Sequence, residues 1–295
     1  MIQDAVAVRE TAPRPRSRSR SWAIQRMLRH SLLVVGGGMC LAALLVALGA
    51  AWVAPYDPQA LNPSLRLQNP SLAHLWGTDQ LGRDIFSRVV WGTRLSLLIG
   101  AAVSVASAIL GTVIGLAAGY FRRLDEPLMR LMDGLMAFPS VLLAIIIMAA
   151  VGARVENVIA ALTIVMVPRL ARTVRASALV VRELLYVEAA RATGAGHLHI
   201  ILRHILPNCL PPLIVQTSYT FALAILSEAS LSFIGVGVPP EIPSLGGILA
   251  DSRLYMRSSP WMPMLPGLSI MWLILGLNQL GDALRDVLDP SMHRS

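Results

Sequence analysis

The sequence predicts an all-α membrane protein, a bundle of six transmembrane helices with both termini cytoplasmic. Three observations predict it: long charge-free apolar runs, a composition too apolar for a soluble domain, and a lopsided placement of arginine. Of the 295 residues, 55% are apolar and 14% charged, against roughly 45–50% and 25% in an average soluble domain. The formal charge is +8, from 25 basic and 17 acidic residues, and no lysine occurs, so every basic side chain in that count is arginine. A Walker A phosphate loop needs a lysine, which excludes that nucleotide site. Aromatic residues are 5% of the chain and the arginines fall between apolar runs, so no basic, aromatic-laced face for nucleic acid is present. Cys40 and Cys209 are the only cysteines, both in apolar stretches, which leaves neither a disulfide framework nor a cysteine zinc cluster.

Residues 1–29 form an Arg, Ser and Pro-rich arm, expected to be a disordered cytoplasmic tail that signals orientation. It is not expected to be a cleaved leader, because the apolar run follows a long tail and exceeds the length of a signal-peptide core. The first span is expected at 30–56 and an extracytoplasmic loop at 57–93. A five-helix core then occupies 94–286, with charge-free runs at 95–121, 134–153, 204–227 and 258–281, before a cytoplasmic tail at 287–295. Each of these runs meets the requirement of about 20 apolar residues for a spanning helix.

The remaining span is the weak one. Its apolar run, Asn157 to Pro168, has 12 residues, too few at 1.5 Å per residue to cross a hydrocarbon core of roughly 30 Å. Counting it nevertheless places 18 arginines inside: seven in the N-terminal arm, Arg122, Arg123 and Arg130, six between Arg169 and Arg203, and Arg285 and Arg294. Seven arginines remain outside, whereas five spans would put the six-arginine segment outside and reverse the positive-inside bias there. The fourth span is therefore expected to run from about Asn157 into Arg169 and Arg172, whose long side chains snorkel toward the headgroups.

Gly111, Gly115 and Gly119 recur every fourth residue in the second span, which lays bare backbone along one helix face for close packing against another helix. Glu228, late in the fifth span, is a carboxylate in apolar surroundings and is expected either to mark the translocation pathway or to be satisfied by a neighbour such as Ser227. No catalytic constellation and no metal site is expected. His197 and His199 lack a third ligand, and Met256, Met262 and Met264 with His74 read equally well as packing.

The inside segment 169–207 is far longer than an ordinary connection between packed helices. Leu179, Val180, Leu184, Leu185, Val187 and Ala190 give it helical periodicity, with a stop at Gly194 and Gly196 and a second apolar stretch from Leu198 to Leu206. Glu188 then either caps the short helix, pairs with a partner's arginine, or is a solvated carboxylate.

Glu188-Ala189-Ala190, three residues, Gly194, then Leu206-Pro207 twelve residues on resembles the EAA loop of ABC importer permeases. His204, in the string Arg203-His204-Ile205-Leu206-Pro207-Asn208, is similar to the dipeptide, oligopeptide and nickel branch. So are Trp76-Gly77-Thr78-Asp79-Gln80-Leu81-Gly82-Arg83-Asp84, Ala137-Phe138-Pro139-Ser140, Leu231-Ser232-Phe233-Ile234-Gly235 and Gly281-Asp282-Ala283-Leu284-Arg285-Asp286 with Asp289-Pro290. The chain resembles the second, C-type permease of that branch. It departs from it in the short Arg122-Arg123-Leu124 turn and in Leu245 where a tryptophan is common.

The resemblance implies a type I importer permease of the bacterial inner membrane, forming half of a pathway for peptides or peptide-like solutes. It implies a second homologous permease, two ATP-binding subunits with the ATPase-coupling loop of this chain at Glu188, Ala189, Ala190, Gly194, His204, Leu206 and Pro207, an extracytoplasmic substrate-binding protein, and contact with membrane lipid. ATP and Mg are then used by the partner subunits, and this chain binds no cofactor of its own. A nickel or other small-solute importer is the alternative within the class. An ion-coupled secondary transporter is the alternative outside it, but it asks for ionisable groups deep in the spans, which the charge-free runs lack.

Overall fold

The computed structural model describes residues 31–288, so the expected tails at 1–29 and 287–295 lie almost wholly outside the described residues. Among the described residues the chain is helical, with no strand. Helix α1 (Ser31–Leu48) and the one-turn α2 (Ala50–Val53) cover the first expected span and meet at Gly49. A coil containing the 3-10 turn Pro63–Leu65 leads into α3 (Ile85–Tyr120). This helix starts ten residues before the charge-free run because Asp84 caps it, its carboxylate accepting the Ser87 N–H at 2.7 Å. The loop expected to reach residue 93 therefore ends at Asp84.

Phe121 alone links α3 to α4 (Arg122–Met136), an amphipathic helix that turns by 90° into α5 (Ser140–Val151). The straight third span expected at 134–153 is thus a broken one. Pro139 disfavours helical backbone at Phe138, where the break between α4 and α5 falls, and the 12 residues of α5 reach only about 18 Å. The weak fourth stretch becomes α6 (Val155–Val181), a 27-residue helix that continues straight through Pro168, Arg169, Arg172 and Arg175. Two of those arginines are neutralised by α4, Arg172 by Asp133 and Arg175 by Asp125, which lets the helix carry charge beyond its apolar run.

The expected long inside helix is interrupted at Arg182-Glu183-Leu184 and resumes as α7 (Leu185–Ala192). From there α8 (His197–Ile200), a π turn (Ile201–Ile205) and α9 (Leu206–Ile234) run as one apolar stretch. Gly235, at φ +92°, ends it in the left-handed region that favours glycine. Then come α10 (Leu245–Ser252), the 3-10 turn Arg253–Tyr255 and α11 (Trp261–Leu288). Helices α3, α6, α8–α9 and α11 are each long and apolar enough to cross a bilayer, and α4 with α5 qualifies as a bent pair.

Helix α3 is the axis of the bundle, and three apolar clusters stack along it. Ile85 and Val89 pack with Ile248, Met262 and Leu273 at one end. Ile99 and Val103 pack with Met148, Leu162 and Leu231 in the middle. Leu116 and Tyr120 pack with Val174, Val181, Val187 and Ile205 at the other end. The glycines of α3 face α6: a Cβ on Gly111, Gly115 or Gly119 would fall 2.6 Å from the Leu170 Cβ, 2.5 Å from the Ala171 carbonyl oxygen and 2.6 Å from the Ala178 Cβ respectively.

Candidate functional site

At the Tyr120 end of the bundle, α7 and α8 form a bracket laid across the ends of α3, α6 and α9. Val187, Ile200 and Ile205 are buried and anchor it; full burial of such a side chain contributes about 1.5–3 kcal/mol. Polar contacts lock the same joint. The Arg182 guanidinium donates to the Gly119 carbonyl at 2.7 Å, Tyr120 Oη and His197 Nδ1 are 2.8 Å apart, and Arg191 lies over the Tyr120 ring at 5.3 Å. His197 is thereby accounted for by Tyr120. Asn208 Nδ2 donates to the His204 carbonyl at 2.7 Å and to Tyr186 Oη at 3.2 Å, and the Tyr186 and His204 rings lie 6.0 Å apart.

The turn between the two helices is a Schellman closure. Gly194 sits at φ +83° and the Ala195 N–H donates to the Ala190 carbonyl at 3.0 Å. Nothing lies within 4 Å of a Cβ placed on Gly194, so its outward face is open. Glu188 and Ala189 are exposed and Ala190 half-buried. Glu188 does not cap α7, whose N-cap residue Leu184 makes no side-chain bond. It lines instead an open cavity of about 460 Å³ with Arg122, Arg123, Arg182 and Arg191. Leu185 and Leu198 stand 82% and 70% exposed on the same bracket.

Glu228 lies elsewhere, inside the bundle. It is fully buried, and both carboxylate oxygens are engaged: Ser96 Oγ donates to Oε2 at 3.1 Å and Ser232 Oγ donates to Oε1 at 2.9 Å. The satisfying hydroxyls come from α3 and from one turn further along α9, not from Ser227. This geometry is that of an internal tie between the two helices. A glutamine can keep both contacts because each serine hydroxyl can rotate to donate or accept. We expect Glu228→Gln to cost under about 1 kcal/mol and to keep transport, and Glu228→Ala to cost about 2 kcal/mol or more by stranding two buried hydroxyls. Thermal unfolding in detergent beside uptake in vesicles checks this; a stable but transport-dead Glu228→Gln would support the pathway role.

A third constellation sits at the Ile85 end. Asp79 is fully buried, and its carboxylate pairs with Arg83 and Arg88, while Asp251 on α10 receives the far ends of both guanidiniums at 3.1–3.3 Å. Beside it His74 Nδ1 lies 2.9 Å from Asp84 Oδ1, and the Tyr56 and His74 rings stack 4.7 Å apart.

Residues 82–294 match the model of the binding-protein-dependent transport system inner membrane component. The chain belongs to that permease family. Residues 21–70 match the N-terminal transmembrane domain of oligopeptide transport permease C. A putative peptide transport system permease of Brucella abortus is 51% identical over 91% of this chain and 90% of its own length. A dipeptide transport system permease of Alkalihalophilus pseudofirmus is 43% identical over 92% of this chain and 89% of its own. A chain of the MetNI methionine ABC transporter, in an inward-facing conformation, shares the fold with a TM-score of 0.50 at 20% identity, over 65% of this chain and 94% of that one.

The permease is thus the membrane component of an ABC importer, with the type I fold. It is not itself an enzyme: ATP hydrolysis belongs to separate subunits, and ATPase and substrate-binding partners go with the family. The structure puts Glu188, Ala189, Ala190 and Gly194 on the bracket, His204 in the π turn that follows it, and Leu206 and Pro207 in the first turn of α9. It sets Glu228 apart from them, and it sets the glycine face of α3 along α6. The buried cluster of Asp79, Arg83, Arg88 and Asp251 was not foreseen as a unit, because Asp251 lies 172 residues beyond Asp79 in the sequence. The one available signal was a run of polar residues at 78–84 beside two arginines in what reads as an apolar helix.

Proposed function

We propose that this chain forms half of the translocation pathway for peptides or peptide-like solutes, paired with a second, similar permease, and that one of the importer's two ATPase subunits docks on the α7–α8 bracket. The bracket end then faces the cytoplasm with both termini, and six segments cross the inner membrane, α1 and the bent α4–α5 among them. The observation that carries the reading is the construction of the bracket: an apolar underside sewn to the ends of α3, α6 and α9, and an outward face of Glu188, Ala189, Gly194 and bare leucines. A push on that face moves three spanning helices together. Peptide, dipeptide or di/tripeptide transport is named for relatives at 43–51% identity and glutathione transport for one at 40%, and this supports peptides as the solute class. ATP and Mg act in the partner subunits.

Gly194→Asp tests the docking. A side chain finds open space there, so the change costs only the backbone, about 1–2 kcal/mol for a left-handed non-glycine, and sets a carboxylate on the docking face. We expect affinity purification in mild detergent to recover at least about ten-fold less ATPase with the variant, since 1.4 kcal/mol is a factor of ten, while the permease pair stays intact. Gly196→Ala is the control: Gly196 has φ −66° and open space around it, so ATPase recovery should equal wild type. Full ATPase recovery with Gly194→Asp would remove the docking assignment.

A further inference from the structure

Arg169 stands at the middle of α6, 14 residues from Val155 and 12 from Val181, which is about 20 Å from either end. Its neighbours Arg172 and Arg175 are taken by Asp133 and Asp125, whereas the Arg169 guanidinium is exposed and has no ion-pair partner among the described residues. An arginine on a spanning helix faces water, a headgroup or a partner group rather than hydrocarbon. It lines a cavity of about 260 Å³ at the knee between α4 and α5, together with Ser140, Ser227, Phe138, Met166 and Leu223.

The amino end of α5 opens on the same cavity. Ser140 is the first residue of that 12-residue helix, and Pro139 before it supplies no capping side chain. The first-turn N–H groups and the positive end of the helix dipole are therefore available to an anion. Interrupted membrane helices present their half-helix amino ends to anionic solutes in this way. A full positive charge, a helix amino end and two hydroxyls line the cavity together with six apolar side chains, Phe138, Met166 and Leu223 among them. That is the complement of a carboxylate attached to a small apolar body.

We propose that Arg169, the amino end of α5, Ser140 and Ser227 form a station in the pathway for the carboxylate of the passing solute, with Phe138, Met166 and Leu223 against its apolar part. The assignment rests on the importer reading above and adds the group by which this chain itself senses the solute. An arginine at a charge-assisted contact discriminates a carboxylate from its neutral amide by an order of magnitude.

The test is uptake by the complete transporter in proteoliposomes, read by mass spectrometry, from a mixture of di- and tripeptides and the same mixture as C-terminal amides. The binding protein is common to all samples, so its own preference cancels in the comparison of variants. Arg169→Gln is expected to narrow the acid-to-amide preference at least about ten-fold, and Arg169→Lys to keep most of it. A wild-type preference in Arg169→Gln overturns the station, as does equal loss of acids and amides, the mark of structural damage. Release of the second permease by Arg169→Gln overturns it too, placing the arginine at a subunit contact. So does labelling of the cavity by a photoreactive anionic phospholipid, which makes the occupant a headgroup. Absence of ATPase subunits from the purified wild-type complex, or no peptide uptake by it, defeats the importer reading, and the station falls with it.

Discussion

Asp79→Ala is expected to destabilise the permease by about 3–5 kcal/mol, the cost of leaving buried charge without its partner. The Asp79 carboxylate is fully buried and accepts from four groups: the N–H of Leu81 and of Arg83 at 2.9 Å each, Arg83 Nε at 2.6 Å, and Arg88. Removing it leaves the Arg88 guanidinium, 2% exposed, leaning on Asp251 alone. The effect reaches beyond the loop, because Asp251 belongs to α10, so the cluster also holds that helix against α3. Asp251→Ala should cost less, since that side chain is 32% exposed and water can replace it. The pair Asp79→Ala with Arg88→Met should recover part of the loss, because exchanging a buried ion pair for apolar residues is often neutral. The apparent melting temperature in detergent reads all four proteins, and a midpoint for Asp79→Ala equal to that of Asp251→Ala would refute the ranking.

Gly115→Leu is the second large effect. The first atom added already lies 2.5 Å from the Ala171 carbonyl oxygen, 2.7 Å from the Val174 Cβ and 3.1 Å from the Arg175 backbone nitrogen. Those are backbone or first side-chain atoms of a rigid helix, so relief requires α3 and α6 to part. Overpacking by a few methylenes costs about 1–3 kcal/mol in a core that can adjust, and this helix face cannot, so a loss at or above the upper end is expected. Parting α6 from α3 also pulls on Arg175 and its contact with Asp125, one of two ion pairs that hold α4 in place. Gly134→Ala is the contrasting change, because Gly134 lies within α4 with nothing within 4 Å of its Cβ; it should stabilise by about 0.5–1 kcal/mol through helix propensity. Thermal unfolding of the two variants beside wild type separates the outcomes, and a wild-type midpoint for Gly115→Leu would show that the helix pair is not tightly packed.

The amino-acid sequence by itself determined the class of this protein and its helical runs, since hydrocarbon admits only segments that satisfy their own backbone. It also determined the bracket, because Gly194 and Pro207 are positions where backbone geometry restricts the residue type. The glycine face of α3 was equally legible, as helical periodicity puts Gly111, Gly115 and Gly119 on one side whatever lies opposite.

Only the tertiary structure decided where charge is tolerated. Reading the apolar runs alone starts the second span after Arg94 and ends the fourth near Arg172, yet α3 begins before Arg88 and α6 runs past Arg175, because carboxylates of other elements, Asp251 for Arg88 and Asp125 for Arg175, help to neutralise both. The choice of Ser96 on α3 as a partner of Glu228 on α9, and the seat of Arg169 beside the amino end of α5, have the same origin. In each, the deciding group lies on another helix, and the energy of a polar group inside the bundle depends on that partner far more than on its neighbours in the chain.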